Sequence, residues 1–231
     1  MREVRWERMF PDQLEQAFAE CPLLYLTYGL CEPHGPHCAL GLDMLKAHGI
    51  ACAAARVHGG IVAPPDYWHI HELGGYAIWS EKNVGECERT WLTALPPWQH
   101  FKNVLYQIRT ADSHGFHACI LLTGHYGPNW QDLKKLVELV QPCVGTRLYA
   151  LPDWEANVPG FDNNNQSGGD HAGKVETSLL WRSIQSAWIF RGCPRKGRQE
   201  RTLLWERPRA FPTAGRASAW SRMRCATLGK R

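Results

Sequence analysis

The chain lacks the long apolar runs that a membrane-spanning helix requires. Such a helix needs roughly 18 consecutive uncharged apolar residues, and no stretch of the sequence approaches that length. Residues 1–8 carry acidic side chains and no apolar run, so they do not resemble a secretory signal peptide. We therefore expect neither membrane insertion nor export.

Closely spaced cysteine pairs are also absent. The nine cysteines are spread singly, and no two are separated by only two residues, which excludes zinc-finger and redox-dithiol motifs. An odd number of scattered cysteines is typical of reduced thiols in the cytosol. We therefore expect a cytoplasmic protein without a disulfide framework.

The residues that are present suit one α/β domain. Apolar side chains make up 44% of the chain, enough for a core of useful size. Strands are predicted at 23–30, 59–65, 116–123 and 144–151, and helices at 43–55, 97–111 and 129–140. This alternation favours a mainly parallel sheet covered by helices on both faces.

The charge distribution divides the chain near residue 190. Residues 191–231 hold twelve Lys or Arg and two Glu, a net charge of +10, whereas the first 190 residues have a net charge of −6. The basic segment shows no sustained periodicity. We therefore expect a domain at 1–190 and a poorly ordered or aberrant tail at 191–231, such as a shifted reading frame would produce. Nucleic-acid binding by this tail is an alternative that rests on charge and tryptophans alone, without a motif.

Candidate metal ligands lie in a loop that directly follows the first predicted strand. Within twelve residues the loop contains Glu32, His34, His37 and Asp43. Carboxylates and imidazoles together suit Zn²⁺, Mn²⁺ or Fe²⁺, and a carboxylate can bridge two ions. Four polar residues in a loop, taken alone, are more often plain surface, but two further clusters favour a metal site.

The two further clusters are at His125 and at Asp170-His171. His125 follows the strand at 116–123, and ligands of parallel sheets gather beyond the carboxyl ends of the strands. Asp170 could orient the imidazole of His171 as a proton-transfer pair. The alternatives are a hydrogen-bonded histidine at a strand end and a helix-capping aspartate beside a surface histidine.

In this order the clusters resemble the creatininase (creatinine amidohydrolase) family. The shared motifs are Glu-x-His-Gly-x-His…Asp at 32–43, Gly-His at 124–125 and Asp-His-Ala-Gly-x-x-Glu-Thr-Ser at 170–178. The resemblance spans roughly residues 6–181. It implies a three-layer α/β sandwich, a two-metal site that usually holds zinc or manganese, hydrolysis of a small-molecule amide C–N bond, and a homo-oligomer that is often a hexamer.

The resemblance also implies roles for individual residues. Glu32 and His34 would each bind one ion, Asp43 would bridge both, and His125 would be a fourth ligand. His171 would pass a proton to the leaving nitrogen, supported by Asp170. Trp154 and Tyr126 would contact substrate, and we expect His37 to orient the loop rather than bind metal.

One position departs from creatininase itself, in which the residue aligned with Gly127 is a glutamate that binds the second metal. The substitute carboxylate would be Glu176, and the departure argues against creatinine and towards another cyclic or linear amide. Family relatives include a formamide hydrolase of flavin and deazaflavin synthesis and a peptidase that trims a modified peptide. A degenerate metal-binding protein without turnover is the competing hypothesis.

Overall fold

A computed structural model of the chain describes residues 2–35, 37–71, 91–125, 129–157, 171–184, 204–205 and 225–226. The strands are β1 (Leu23–Tyr28), β2 (Ile61–Val62), β3 (His69–Ile70), β4 (Ala94–Leu95), β5 (Ala118–Thr123), β6 (Arg147–Pro152), β7 (Leu204–Trp205) and β8 (Cys225–Ala226). The helices are α1 (Pro11–Glu20), α2 (Leu42–His58), α3 (Pro97–Ser113), α4 (Asn129–Val140), α5 (Asp153–Asn157) and α6 (Lys174–Ser183), and 3-10 turns occupy Trp6–Arg8 and Gln141–Cys143.

The central sheet has four strands in the order β2-β1-β5-β6, and every neighbouring pair is parallel. Leu23 lies opposite Ala118, and the register continues to Tyr28 opposite Thr123. Because all four strands run the same way, their carboxyl ends meet at one edge. This arrangement confirms the predicted mainly parallel sheet and brings the loops after β1 and β5 together.

Two apolar clusters cover the two faces of the sheet. One joins α1, α3 and α4 to one face, through buried side chains such as Val104, Ile108 and Leu133. The other joins α2 to the opposite face, through Ala47, Ala51 and further small residues. Burial of these side chains supplies the main favourable term in folding. The fold is therefore the expected three-layer α/β sandwich.

Several elements differ from the sequence prediction. The strand predicted at 59–65 contains only Ile61–Val62, because Gly59 and Gly60 have positive φ angles of 88° and 97°, outside the β region. The helix predicted at 43–55 extends to Leu42–His58. Helices α1 and α6 were not predicted.

Most of the predicted tail at 191–231 lies outside the described residues. Within it, β7 pairs antiparallel with β8. Among the described residues, no helix is both long enough and apolar enough to cross a membrane.

Two glycines allow the ends of β1 and β5 to press against the start of α2. A Cβ atom at position 29 would lie 2.5 Å from the amide nitrogen of Met44, and one at position 124 would overlap the carbonyl oxygen of Asp43. Any side chain at either position would push α2 away from the sheet edge. These close contacts place Asp43 directly above the carboxyl ends of the two central strands.

We expect Gly124→Ala to destabilise the protein by about 1–3 kcal/mol, because the new methyl group overlaps backbone atoms that cannot rotate away. Gly145→Ala is the matched control, since a Cβ at position 145 meets only a side-chain oxygen of Asp112, at 3.6 Å. Urea unfolding of both variants measures the difference. Equal stability of the two variants would contradict the close approach at Gly124.

Candidate metal centre

Three side chains converge at the carboxyl edge of the sheet to form a first group of possible metal ligands. The Nδ1 atom of His125 lies 3.1 Å from Glu32 Oε1 and 3.1 Å from Asp43 Oδ2. His125 follows β5, Glu32 lies in the loop after β1, and Asp43 is in the first turn of α2. All three residues are buried. They are one of the described groups whose atoms could hold a metal ion.

A second group shares Asp43 and adds His34 and Glu176. The Nε2 atom of His34 lies 3.4 Å from Asp43 Oδ1 and 3.5 Å from Glu176 Oε2. Ligand atoms about 2.0–2.2 Å from a tetrahedral ion stand about 3.3–3.6 Å apart, so these separations fit a metal ion between them. Asp43 thus presents one oxygen to each group, as a bridging carboxylate would.

The protonation of His34 suits a ligand. Its Nδ1 atom lies 3.0 Å from the carbonyl oxygen of Glu32, and a carbonyl can only accept, so Nδ1 carries the hydrogen. When the ring is neutral, it therefore presents a lone pair at Nε2. Among the described residues, Nε2 of His34 and Oδ1 of Asp43 are buried without a hydrogen-bond partner. Two such atoms facing one another fit a cation between them.

The electrostatics of the centre are dominated by buried carboxylates. Burial alone would lower the pKa of His125, but Glu32 and Asp43 outweigh it and raise that pKa to about 10. Burial and the attraction of Asp43 oppose one another in the same way at His34, where the pKa rises to about 9. Without other cations, both imidazoles would hold protons at neutral pH. A divalent ion can replace these protons and neutralise the carboxylates.

A buried lysine completes the charge distribution. Lys46 lies one helical turn after Asp43 on α2 and is 0% exposed. Its Nζ atom is 2.7 Å from Glu176 Oε1, 3.5 Å from Asp43 Oδ1 and 3.7 Å from Asp153 Oδ2. Burial alone would lower the pKa of Lys46, but attraction by Asp153, Glu176 and Asp43 raises it. The side chain is therefore an ammonium at neutral pH.

His171 lies beside both groups, and with Glu32 and His34 it forms a third group of possible ligands. Its ring stacks on that of His34 with centroids 4.3 Å apart, and its Nε2 atom lies 2.9 Å from the carbonyl oxygen of Pro33. Nε2 therefore donates, and Nδ1, which is 3.9 Å from Glu32 Oε1, is the basic nitrogen of the neutral ring. Burial and the neighbouring His34 lower the pKa of His171, which keeps the ring neutral near pH 7.

The structure thus brings together Glu32, His34, Asp43, His125, Glu176 and His171. Trp154 lies at the carboxyl end of β6, buried against Trp130 with ring centroids 5.7 Å apart. His37 lies 3.5 Å from the hydroxyl of Thr177, so it connects the loop to α6. The other two predicted site residues, Asp170 and Tyr126, lie outside the described residues.

Sequence reasoning assigned no role to three residues of the centre. Lys46 lies near the carboxylates of Asp153, Asp43 and Glu176. The Nε2 atom of His71 lies 3.4 Å from Glu32 Oε2. The available signal for Lys46 was a lysine three residues after a candidate ligand, in a helix otherwise rich in Ala, Leu and Met. The signal for Asp153 was a carboxylate two residues after the strand predicted at 144–151.

Two further histidines are buried beside the centre. The rings of His69 and His100 lie 4.1 Å apart, and the ring of His69 lies 5.3 Å from that of His125. Burial lowers the pKa of His100 to about 4 and that of His69 well below its ordinary value. Both imidazoles are therefore neutral at pH 7.

The fold and the centre define an α/β protein with a candidate two-metal site at the carboxyl edge of a parallel sheet. The family model described as creatininase, creatinine amidohydrolase, matches residues 7–189. The chain belongs to the creatininase family. The predicted membership is thereby confirmed.

Solved structures of similar fold carry the same description. A creatinine amidohydrolase (creatininase) is 18% identical with a TM-score of 0.66, over 92% of this chain and 80% of that one. A manganese form of creatininase is 18% identical with a TM-score of 0.63, over 91% and 80%. A creatininase variant of Zn–Zn type is 21% identical with a TM-score of 0.62, over 92% and 81%. No curated protein sequence matches.

The buried histidine pair generates a prediction for stability. The unfolded chain binds a proton at His100 below about pH 6.5, whereas the folded chain does so only near pH 4. The contribution of His100 to the free energy of unfolding therefore falls by about 2 kcal/mol as the pH drops from 7 to 5. In His100→Phe, the free energy of unfolding should therefore decrease by about 2 kcal/mol less between pH 7 and pH 5 than in the wild type. Urea unfolding at both pH values measures the difference. The exposed His117→Asn is the control and keeps the full slope.

Metal binding should stabilise the fold, because ions bind the assembled ligand groups and not the unfolded chain. At 100 times the dissociation constant, one ion contributes about 2.7 kcal/mol. We expect a chelator to lower the melting temperature, and zinc or manganese to restore it. Asp43→Asn, which weakens both groups, should show little metal response. An unchanged melting temperature of the wild type with chelator would contradict the metal site.

Proposed function

We propose that the chain is a metal-dependent amidohydrolase that cleaves a non-peptide or cyclic amide C–N bond. The observation that carries the proposal is the sharing of Asp43 between two ligand groups, with a neutral imidazole beside them. Family membership supports the same reaction class. Two neighbouring cation sites next to a proton-transfer group are the arrangement that metal-assisted hydrolysis uses.

Two ions would be held by this centre. One would bind Glu32, Asp43 and His125, and the other would bind His34, Asp43 and Glu176. Zinc and manganese suit such mixed carboxylate and imidazole groups, with iron as an alternative. When bound, such ions lower the pKa of water and polarise a carbonyl oxygen.

His171 is the proton carrier of the proposed reaction. Its lowered pKa leaves Nδ1 able to accept a proton from the attacking water at neutral pH. The hydrogen bond from Nε2 to the carbonyl oxygen of Pro33 fixes the ring while the proton is held. The same nitrogen then gives the proton to the departing amine, which is a poor leaving group until it is protonated. Asp170 would support the imidazole, and Tyr126 and Trp154 would contact the substrate.

The proposed substrate is a small-molecule amide other than creatinine. Gly127 has no side chain to match the carboxylate that creatininase has at this position. The alternative substrates within the same family are a formamide and a short peptide. The homo-oligomer, a hexamer by resemblance, and the cytoplasmic location stay predictions.

The ligand and proton-transfer roles are separable by mutation. Glu32→Gln removes one carboxylate charge from the first group and should abolish metal binding and hydrolysis together. His171→Ala leaves every proposed ligand in place, so it should keep the metal and lose turnover by about 100-fold or more. The measurements are metal content by mass spectrometry and rates on creatinine, formamidopyrimidines and short peptides.

Full turnover in His171→Ala would contradict the proton-transfer role. A wild-type protein that binds two ions but hydrolyses none of the amide panel would instead favour a degenerate metal-binding protein. A wild-type protein with no bound ion would overturn the metal-dependent reaction altogether.

A further inference from the structure

Lys46 is a buried charged residue of the centre for which neither the ligand groups nor the proton transfer provide a role. It is fully buried, and its ammonium group lies near carboxylates from three separate elements. Asp43 comes from the same helix, Asp153 from the start of α5, and Glu176 from the first turn of α6. A buried ammonium is costly unless such partners surround it, so its position is closely defined.

The two oxygens of Glu176 have different partners. Oε1 accepts from the ammonium of Lys46 at 2.7 Å, whereas Oε2 accepts from the backbone N–H of Ala172 at 2.9 Å and faces His34 Nε2 at 3.5 Å. Ala172 has a φ angle of 54°, a conformation uncommon for a residue with a Cβ atom. The carboxylate is therefore held from two sides, with one oxygen directed at the second ligand group.

The ammonium itself does not fill the second ligand group. His34 Nε2 and Asp43 Oδ1 have no hydrogen-bond partner among the described residues, so Lys46 does not donate to either atom. Its third carboxylate contact, Asp153, belongs to none of the candidate ligand groups. Lys46 thus connects a non-ligand carboxylate to a ligand carboxylate, and it makes no hydrogen bond to the two unpartnered atoms of the second group.

We propose that Lys46, anchored by Asp153, is the positioning residue that makes Glu176 a ligand of the second ion, in place of the side chain that Gly127 lacks. This inference rests on the proposed function only in requiring that the centre bind metal. A hydrogen bond to the outer oxygen of a ligating carboxylate fixes its orientation, and loss of such a partner typically weakens metal affinity about 10- to 100-fold.

The decisive measurement is the number of ions bound by the full-length chain, wild type against Lys46→Met. We expect two manganese ions per wild-type chain and one per variant chain, at a metal concentration that just saturates the wild type. Electron paramagnetic resonance supplies a second readout, because a coupled manganese pair gives a different spectrum from an isolated ion. Lys134→Met, which removes a lysine from a partly exposed ion pair with Glu155, is the control and should bind two.

Asp153→Asn provides a milder variant in case Lys46→Met fails to fold. It retains every proposed ligand and the lysine, and it removes only the charge that anchors the lysine. We expect the second manganese ion to bind about 10- to 100-fold more weakly, with the affinity of the first ion unchanged. Circular dichroism of each variant establishes that it is folded.

Each other outcome overturns the inference. If the wild type binds one ion and Lys46→Met binds two, the ammonium takes the place of an ion. If both proteins bind two ions with equal affinity, Lys46 does not position Glu176, and the proposed hydrolase function is unaffected. If the wild type binds none, the metal-dependent function itself fails.

Discussion

Asp43 is shared by two of the three candidate ligand groups, and its position depends on how closely the start of α2 approaches the central strands. Gly29 and Gly124 permit that approach because neither has a Cβ atom. The same packing that buries the small residues of α2 against the sheet therefore brings a carboxylate above the ends of β1 and β5. A displacement of α2 would move Asp43 relative to the strand ends, so the packing of the core also determines the geometry of the site.

The charge balance of the centre follows from this packing. Glu32, Asp43, Asp153 and Glu176 are all buried, and carboxylates are costly to bury unless cations neutralise them. Lys46 provides one positive charge, and protonated His34 and His125 can provide two more. In the proposed metal-bound state, divalent ions would neutralise the same carboxylates without protonating the imidazoles.

The sequence predicted β1 and β5 well because a strand buried on both faces is apolar along its whole length. Leu23–Tyr28 and Ala118–Thr123 fall within predicted strands, and Arg147–Pro152 ends one residue beyond the strand predicted at 144–151. The strand predicted at 59–65 was too long, because Gly59 and Gly60 have positive φ angles that the composition does not reveal. Helix α6 was missed because its residues were interpreted only as part of a motif. The candidate ligands were found because loops after parallel strands lie at one edge of the sheet, and the structure brings them together there, while their roles stay predictions.

The sequence by itself determined the kinds of donor atom, their order along the chain and their places at strand ends, because these depend on local pattern and on motif spacing. Only the tertiary structure decided how the donors divide into two groups that share Asp43. It also decided that Lys46 meets Asp153 and Glu176, the latter 130 positions away along the chain. No local periodicity encodes such a contact, since it arises where α2, α5 and α6 converge on the sheet edge, and that convergence is set by the packing of the whole domain.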